Sequence, residues 1–113
     1  MPNILSRTLI VLLLGALSLA ARADQPHWID VRSVGEYASG HVEGAVNIPY
    51  DEIAARIAEV TGNKDDVIYV YCRSGRRSGI AKSVLEEAGF TNVVNLGGLS
   101  DAQDFAAQER IAE

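Results

Sequence analysis

The sequence is poor in cysteine, and this shortage narrows the functions open to it. Its 113 residues include one cysteine, Cys72, so no disulfide can form within the chain. The thiol is therefore buried and inert, paired with another chain, or kept as a reactive group. With only two histidines, His27 and His41, the chain has neither a C-x-x-C nor an H-x-x-x-H pattern. We therefore expect no metal site.

Long apolar runs are also scarce. Residues 9–21 are apolar apart from Gly15 and Ser18, and they lead into Ala21-Arg22-Ala23, the A-x-A pattern of a signal-peptidase site. A membrane span requires about 20 apolar residues, more than this run provides. We therefore interpret residues 1–23 as a cleavable signal peptide. We expect an exported domain at residues 24–113, with no stable membrane association after cleavage.

Basic residues are too few for a polyanion-binding protein. Of the ten Lys and Arg residues, Arg7 and Arg22 leave with the signal peptide, so eight remain against fifteen acidic residues, a formal net charge of −7. This balance argues against nucleic acid and against an anionic membrane surface as partners. The mature length suits one core, and we expect a single domain that is a monomer.

Strand-like and helix-like segments alternate along the mature chain. The predicted strands are Trp28–Val31, Ala45–Ile48, Val67–Tyr71 and Val93–Val94, and Gly97-Gly98 is predicted to be a turn. The predicted helices begin after a capping box at Ser33-x-x-Glu36, at Asp51, near Ile80 and at Ser100. This alternation predicts an α/β fold, a mostly parallel central sheet flanked by helices. Val67–Tyr71 is apolar throughout, as a central strand requires.

The loop at the end of that strand combines a thiol with positive charge. Gly75 and Gly79 permit backbone N–H groups to converge into an anion-binding nest at the start of the next helix. Residues 71–85 contain no acid but include four basic residues, Arg73, Arg76, Arg77 and Lys82. A thiol in this setting is expected to have a lowered pKa and to act as a nucleophile.

Two chemistries suit a thiolate in an anion cradle: phosphoryl transfer to cysteine, and sulfur transfer from a donor such as thiosulfate. Cysteine phosphatases use the pattern C-x5-R, but Ser78 occupies the position of that arginine here. Arg77 gives C-x4-R instead, a tighter cradle that favours sulfane sulfur over phosphate. A phosphatase or arsenate reductase is therefore the weaker alternative.

Two motifs resemble those of rhodanese domains. The segment Ile29–Pro49, IDVRSVGEYASGHVEGAVNIP, is similar to the N-terminal signature of the family, and YCRSGRRS (Tyr71–Ser78) is similar to its six-residue active-site loop. The similarity continues through Ser78–Leu99. Together with the signal peptide, the sequence GGLSD resembles the small periplasmic thiosulfate sulfurtransferases of the phage-shock type. One departure is Ser100–Asp104, where many rhodanese domains carry a tryptophan.

The resemblance implies a thiosulfate sulfurtransferase located in the periplasm. Cys72 would take sulfur from thiosulfate as a persulfide and pass it to cyanide in vitro, or to a small-molecule or protein thiol in the cell, without any cofactor. Arg77 is the first candidate for contacting the leaving group, whereas Arg73 and Arg76 either do the same or steer anions. Ser74 and Gly75 are expected to contribute backbone N–H groups. A periplasmic persulfide carrier or thiol-based sensor acting on a protein partner remains open.

Three further residues outside the loop, and one within it, are assigned structural roles. His41 lies in the G-H-V-x-G-A segment and is expected to form structural hydrogen bonds. Asp30 and Arg32 are expected to form an ion pair near the end of the sheet. Ser78 is expected to cap the helix that follows the loop.

Overall fold

A parallel sheet forms the centre of the structure, a computed structural model that describes residues 25–112. The strands are β1 (His27–Asp30), β2 (Val46–Asn47), β3 (Val67–Cys72) and β4 (Asn92–Gly98). The helices are α1 (Val34–Ala38), α2 (Ile53–Arg56), α3 (Arg76–Glu87) and α4 (Leu99–Ala112), with one 3-10 turn, Ile57–Glu59, after α2. The predicted signal peptide lies outside the described residues.

The sheet order is β2-β1-β3-β4, and all three pairings are parallel. The prediction of an α/β fold with a mostly parallel sheet is therefore confirmed. The strand with the most apolar sequence, β3, lies between β1 and β4, so it is central as expected. Parallel strands bring their carboxyl ends to one edge of the sheet, and ligands of such sheets bind beyond that edge.

Helices cover both faces of the sheet. One buried cluster joins Ile29, Ile68 and Val70 to Ile53 of α2 and Leu85 of α3. The second cluster lies under α4, where Ala102 and Ala106 pack with Tyr71, Val42 and Ala45. Helix α4 therefore contributes two small buried residues to this cluster.

The structure corrects several predicted boundaries. Cys72 is the last residue of β3 instead of the first residue of the loop. Gly97 and Gly98 belong to β4, because Gly98 pairs with Cys72 beyond an irregularity in the register at Val70/Cys72. The predicted turn at these glycines is therefore wrong. The helix expected from Asp51 is confined to α2 and the 3-10 turn.

An ion pair and a capped helix rigidify the end of β1. Arg32 donates to both carboxylate oxygens of the fully buried Asp30, with Nη2 2.6 Å from Oδ2, and also to the carbonyl of Gly40. The predicted Asp30–Arg32 pair is therefore confirmed. The capping box predicted at the start of α1 is also present, with Ser33 as the N-cap and Glu36 as its partner.

His41 has the structural role expected of it. Its ring stacks on Tyr37 at a centroid distance of 3.6 Å, and its Nδ1 lies 2.8 Å from the Tyr37 carbonyl oxygen. Because that carbonyl can only accept, His41 donates from Nδ1.

Helix α4 packs through an aromatic cluster, although it lacks the tryptophan common among rhodanese domains. Phe105 of α4 contacts Trp28 and Tyr69, with ring centroids 5.9 and 5.1 Å apart respectively. The aromatic contact between α4 and the sheet is thus made by Phe105 with Trp28 of β1 and Tyr69 of β3. Among residues 25–112, no helix has the length and apolar content needed to cross a membrane.

Candidate active site

Strand β3 delivers Cys72 to the carboxyl edge of the sheet, where a three-residue loop connects it to α3. Helix α3 begins at Arg76, and Gly75 precedes it with φ +95°, a left-handed conformation that favours glycine. The tight turn directs the N-terminus of α3 back toward the sulfur. Cys72 is fully buried.

The sulfur lies among hydrogen-bond donors from the loop and the first turn of α3. The backbone N–H of Gly75 donates to Cys72 Sγ at 3.0 Å. The hydroxyl oxygen of Ser78, itself fully buried, lies 3.3 Å from the same sulfur. The prediction that Ser78 caps the helix is wrong: Gly75 is the N-cap, and Ser78 faces inward two residues after the helix begins.

These donors determine the ionisation of the thiol. Burial by itself raises the pKa of Cys72, but hydrogen bonds from the Ser78 hydroxyl and from the N–H groups of Ser78, Ser74 and Gly75 lower it to about 7. The lowered pKa and the backbone N–H groups around the sulfur were predicted from the sequence, whereas the hydroxyl of Ser78, the largest of the lowering causes, was not. These hydrogen bonds lower the pKa more than the charge of the neighbouring arginines does.

Strand β4 supports the loop from behind. The Asn95 side chain donates from Nδ2 to the Gly75 carbonyl at 3.0 Å, and its Oδ1 lies 2.7 Å from Ser78 Oγ. At Gly98 the backbones approach so closely that a Cβ atom would lie 2.6 Å from the Arg73 carbonyl oxygen. The two glycines that were predicted as a turn therefore form the wall against which the loop rests.

Arg77 is held by an acid from α1. Its Nη1 and Nη2 donate to Oε1 and Oε2 of Glu36 at 2.8 and 2.9 Å, a bidentate pair that joins α3 to α1. The hydrogen bond from Arg77 is the main cause that lowers the pKa of Glu36 to about 2. The pair therefore remains charged at neutral pH, and both terminal nitrogens of the Arg77 guanidinium are already bonded to Glu36.

Arg73 and Arg76 are exposed, and Arg73 lines a cleft of about 480 Å³ beside the loop. All but one of the residues that line this cleft are polar or charged, and the exception is a leucine. Its wall consists of Arg32, Glu36, Ser39, Arg73, Leu99, Ser100 and Gln103. Among the described residues Arg73 has no ion pair with a carboxylate, in contrast to Arg77 and Arg32.

All six predicted site residues lie at the loop: Cys72 ends β3, Arg73, Ser74 and Gly75 form the loop, and Arg76 and Arg77 begin α3. Their catalytic and binding roles stay predictions. Glu36 and Asn95 were missed as parts of the site. The capping box marked Glu36 as a helix-start residue, but no local pattern indicates its contact with Arg77, 41 positions away. No sequence signal pointed to Asn95.

Comparison with known proteins agrees with the motifs. The model of the rhodanese-like domain family matches residues 16–104. The thiosulfate sulfurtransferase PspE of Escherichia coli (strain K12) is 48% identical over 92 residues, covering 77% of this chain and 88% of the relative. A sulfurtransferase of Allochromatium vinosum is 39% identical over 70 residues, covering 62% and 64% of the two chains. A solved rhodanese with anions from E. coli is 50% identical with a TM-score of 0.63, covering 68% of this chain and 91% of that chain.

Proposed function

The chain belongs to the rhodanese-like domain family, and from that premise we propose that it is a thiosulfate sulfurtransferase. The proposal specifies thiosulfate as the donor, a persulfide on Cys72 as the intermediate, and a thiophilic acceptor. The observation that carries it is a buried Cys72 sulfur with converging N–H and O–H donors and a pKa lowered to about 7.

In the first step, the Cys72 thiolate attacks the outer sulfur of thiosulfate. A new S–S bond forms to Cys72 and the S–S bond of thiosulfate breaks, its electron pair leaving with sulfite as a dianion. The persulfide keeps one negative charge on its terminal sulfur. N–H groups of Ser74, Gly75 and Ser78 can hold that charge as they hold the thiolate, a stabilisation of the oxyanion-hole type.

In the second step, an acceptor attacks the terminal sulfur and the Cys72 thiolate is the leaving group. Cyanide takes the sulfur as thiocyanate, and a thiolate acceptor takes it as a new persulfide. In each step one nucleophile replaces another on the transferred sulfur atom, so neither step requires a redox partner. Because Cys72 is fully buried, both steps require a local opening of the loop.

Arg73 and Arg77 have different parts in this scheme. The fork of Arg77 is occupied by Glu36, so a contact between Arg77 and sulfite requires that pair to open or to be shared. Arg73 faces the cleft without a carboxylate partner among residues 25–112, and we assign it the first contact with the anionic donor. Arg76 is exposed and attracts anions to the mouth of the site.

The test is intact mass of the mature protein before and after thiosulfate, with release of thiocyanate when cyanide is added. We expect a gain of about one sulfur atom that cyanide removes, as a nucleophilic thiolate requires. Cys72→Ser should abolish both signals. The matched control is C72S combined with Ser83→Cys, which restores a thiol at an exposed position of α3 outside the loop. It should remain inactive.

The same experiment separates the alternatives. A persulfide that forms but passes to small acceptors only slowly would favour a carrier or sensor that serves a protein partner. No sulfur adduct and no thiocyanate would contradict the sulfurtransferase proposal and favour a phosphatase, an arsenate reductase or a redox sensor. We further propose a periplasmic location after removal of residues 1–23, and a monomer.

A further inference from the structure

The side chain of Asn95 has only one possible orientation. Its Oδ1 lies 3.0 Å from the backbone N–H of Gly97, which can only donate, and its Nδ2 lies 3.0 Å from the carbonyl of Gly75, which can only accept. The atom facing Ser78 is therefore an acceptor, 2.7 Å from the hydroxyl oxygen.

Ser78 has one hydroxyl proton and two acceptors within reach. Cys72 Sγ lies 3.3 Å from its oxygen and Asn95 Oδ1 lies 2.7 Å from it, and one proton cannot satisfy both at good geometry. When Cys72 is a thiol, its S–H can donate to Ser78 Oγ while the hydroxyl donates to Asn95. When the thiol proton leaves to solvent, the hydroxyl must turn from Asn95 to the sulfur to stabilise the thiolate.

We propose that Asn95 is a positioning residue that competes with the Cys72 thiolate for the hydroxyl proton of Ser78 and so sets how readily the thiol ionises. Asn95 draws the proton toward β4 and favours the neutral thiol. The Gly97 N–H remains on Oδ1 in both states and limits the cost when the hydroxyl turns away. The nucleophile is thus regulated by a carboxamide that does not touch it.

Charged groups on the neighbouring elements do not provide this competition. From α3, the charge of Arg77 interacts with Cys72 but is paired with Glu36 of α1, and at the end of β1 the charge of Asp30 is paired with Arg32. Arg73 follows Cys72 and is exposed, and Asp101 of α4 accepts from the Gly98 N–H. Strand β4 itself contains no titratable residue.

The experiment measures the pH midpoint of Cys72 alkylation by iodoacetamide in the full mature protein, with thiolate ultraviolet absorbance as a second reading. Asn95→Leu removes the acceptor at similar volume, and Asn95→Ala removes it with less steric demand. Each is also made in a Ser78→Ala background, where there is no hydroxyl to compete for. Asn92→Leu on the same strand is the control, because the side chain of Asn92 bonds the Asp65 carbonyl at the other end of β4.

We expect the substitution of Asn95 to lower the pH midpoint of Cys72 alkylation when Ser78 is present. This shift should exceed the shift that the same substitution causes in the Ser78→Ala background by about half to one pH unit. Any loosening of the loop through the lost bond to Gly75 occurs in both backgrounds and cancels. Equal effects in the two backgrounds, or a relative rise, would overturn the proposal. No sulfur donor is used, so the result is independent of whether the chain is a thiosulfate sulfurtransferase.

Discussion

At the scale of single residues, short-range donors control the thiol more than charge does. Arg73 and Arg76 are exposed to water, which screens them, and the charge of Arg77 is compensated by Glu36. The Ser78 hydroxyl and the Gly75 N–H instead reach the buried sulfur directly, at 3.3 and 3.0 Å. The arginines are thus better suited to attract an anionic donor than to create the nucleophile.

The reactivity of Cys72 should rise as the pH rises through about 7, because its pKa is lowered to that value and only the thiolate reacts. Ser78→Ala removes the strongest hydrogen-bonding cause of the shift. We expect the midpoint of alkylation to move upward by about half to one pH unit in this variant. Ser83→Ala, on the exposed side of α3, should leave the midpoint unchanged. An unshifted midpoint in Ser78→Ala would contradict the role of the hydroxyl.

Glu36→Gln should release Arg77 from its bidentate pair and leave an uncompensated positive charge at the mouth. We expect the KM for thiosulfate to fall by about two- to fivefold, more steeply at low salt, with a smaller effect on kcat. The loss of stability should be about 1 kcal/mol or less, because both side chains are partly exposed.

Steady-state kinetics at two salt concentrations and thermal unfolding measure these effects. Glu43→Gln changes the same charge on an exposed carboxylate that contacts Arg110, and it should leave KM unaltered. A KM that rises in Glu36→Gln, with kcat unchanged, would mean that the pair holds Arg77 in its productive position.

At the scale of elements, β4 and the active-site loop pack against each other through backbone atoms, without side chains between them at Gly98. A Cβ at Gly98 would lie 2.6 Å from the Arg73 carbonyl oxygen, a backbone atom that cannot rotate away. Gly98→Ala should therefore displace the loop, destabilise the fold by about 1–3 kcal/mol and reduce sulfur transfer. Denaturant unfolding and the thiocyanate assay measure both losses.

The matched control is Gly35→Ala in α1, where a Cβ meets nothing within 4 Å. That substitution should be neutral or stabilise the helix by about 0.5–1 kcal/mol. If Gly98→Ala matches the parent protein in both its stability to denaturant and its release of thiocyanate, the close approach of β4 to the loop matters for neither stability nor activity.

The sequence predicts a helix or strand well where a local pattern specifies it. It predicts poorly where the structure depends on a contact with a residue distant in the sequence. The apolar run at Val67 identified the central strand, and Ser33-x-x-Glu36 identified the start of α1. The strand role of Gly97 and Gly98 could not be predicted, because glycine pairs usually mark turns and only the pairing with Cys72 extends β4. Likewise, the Glu36–Arg77 pair joins positions 41 apart, and neither position carries a local signal for it.

At the scale of the whole molecule, an acidic chain surrounds a locally basic mouth. The predicted mature chain has a formal net charge of −7, yet residues 71–85 contain four basic residues and no acid. Such a distribution keeps the protein soluble and repels polyanions in general, while one edge of the sheet attracts a small anion. This distribution favours a small anion, such as the proposed donor thiosulfate, over an extended anionic partner.

We propose that residues 24–113 fold without the residues predicted to be removed. Among the described residues, both buried clusters and all four strands lie between His27 and Ala112. We expect mature protein from the periplasmic fraction to begin at Asp24, and residues 24–113 produced without the leader to match its unfolding and Cys72 reactivity. N-terminal sequencing and intact mass measure the first expectation.

Ala23→Leu places a bulky residue before the predicted cut and should leave the precursor uncleaved. Ser33→Ala, within the mature chain, should be processed normally. An unprocessed native chain in the membrane fraction would instead identify residues 1–23 as an anchor, with the active site held at the membrane surface.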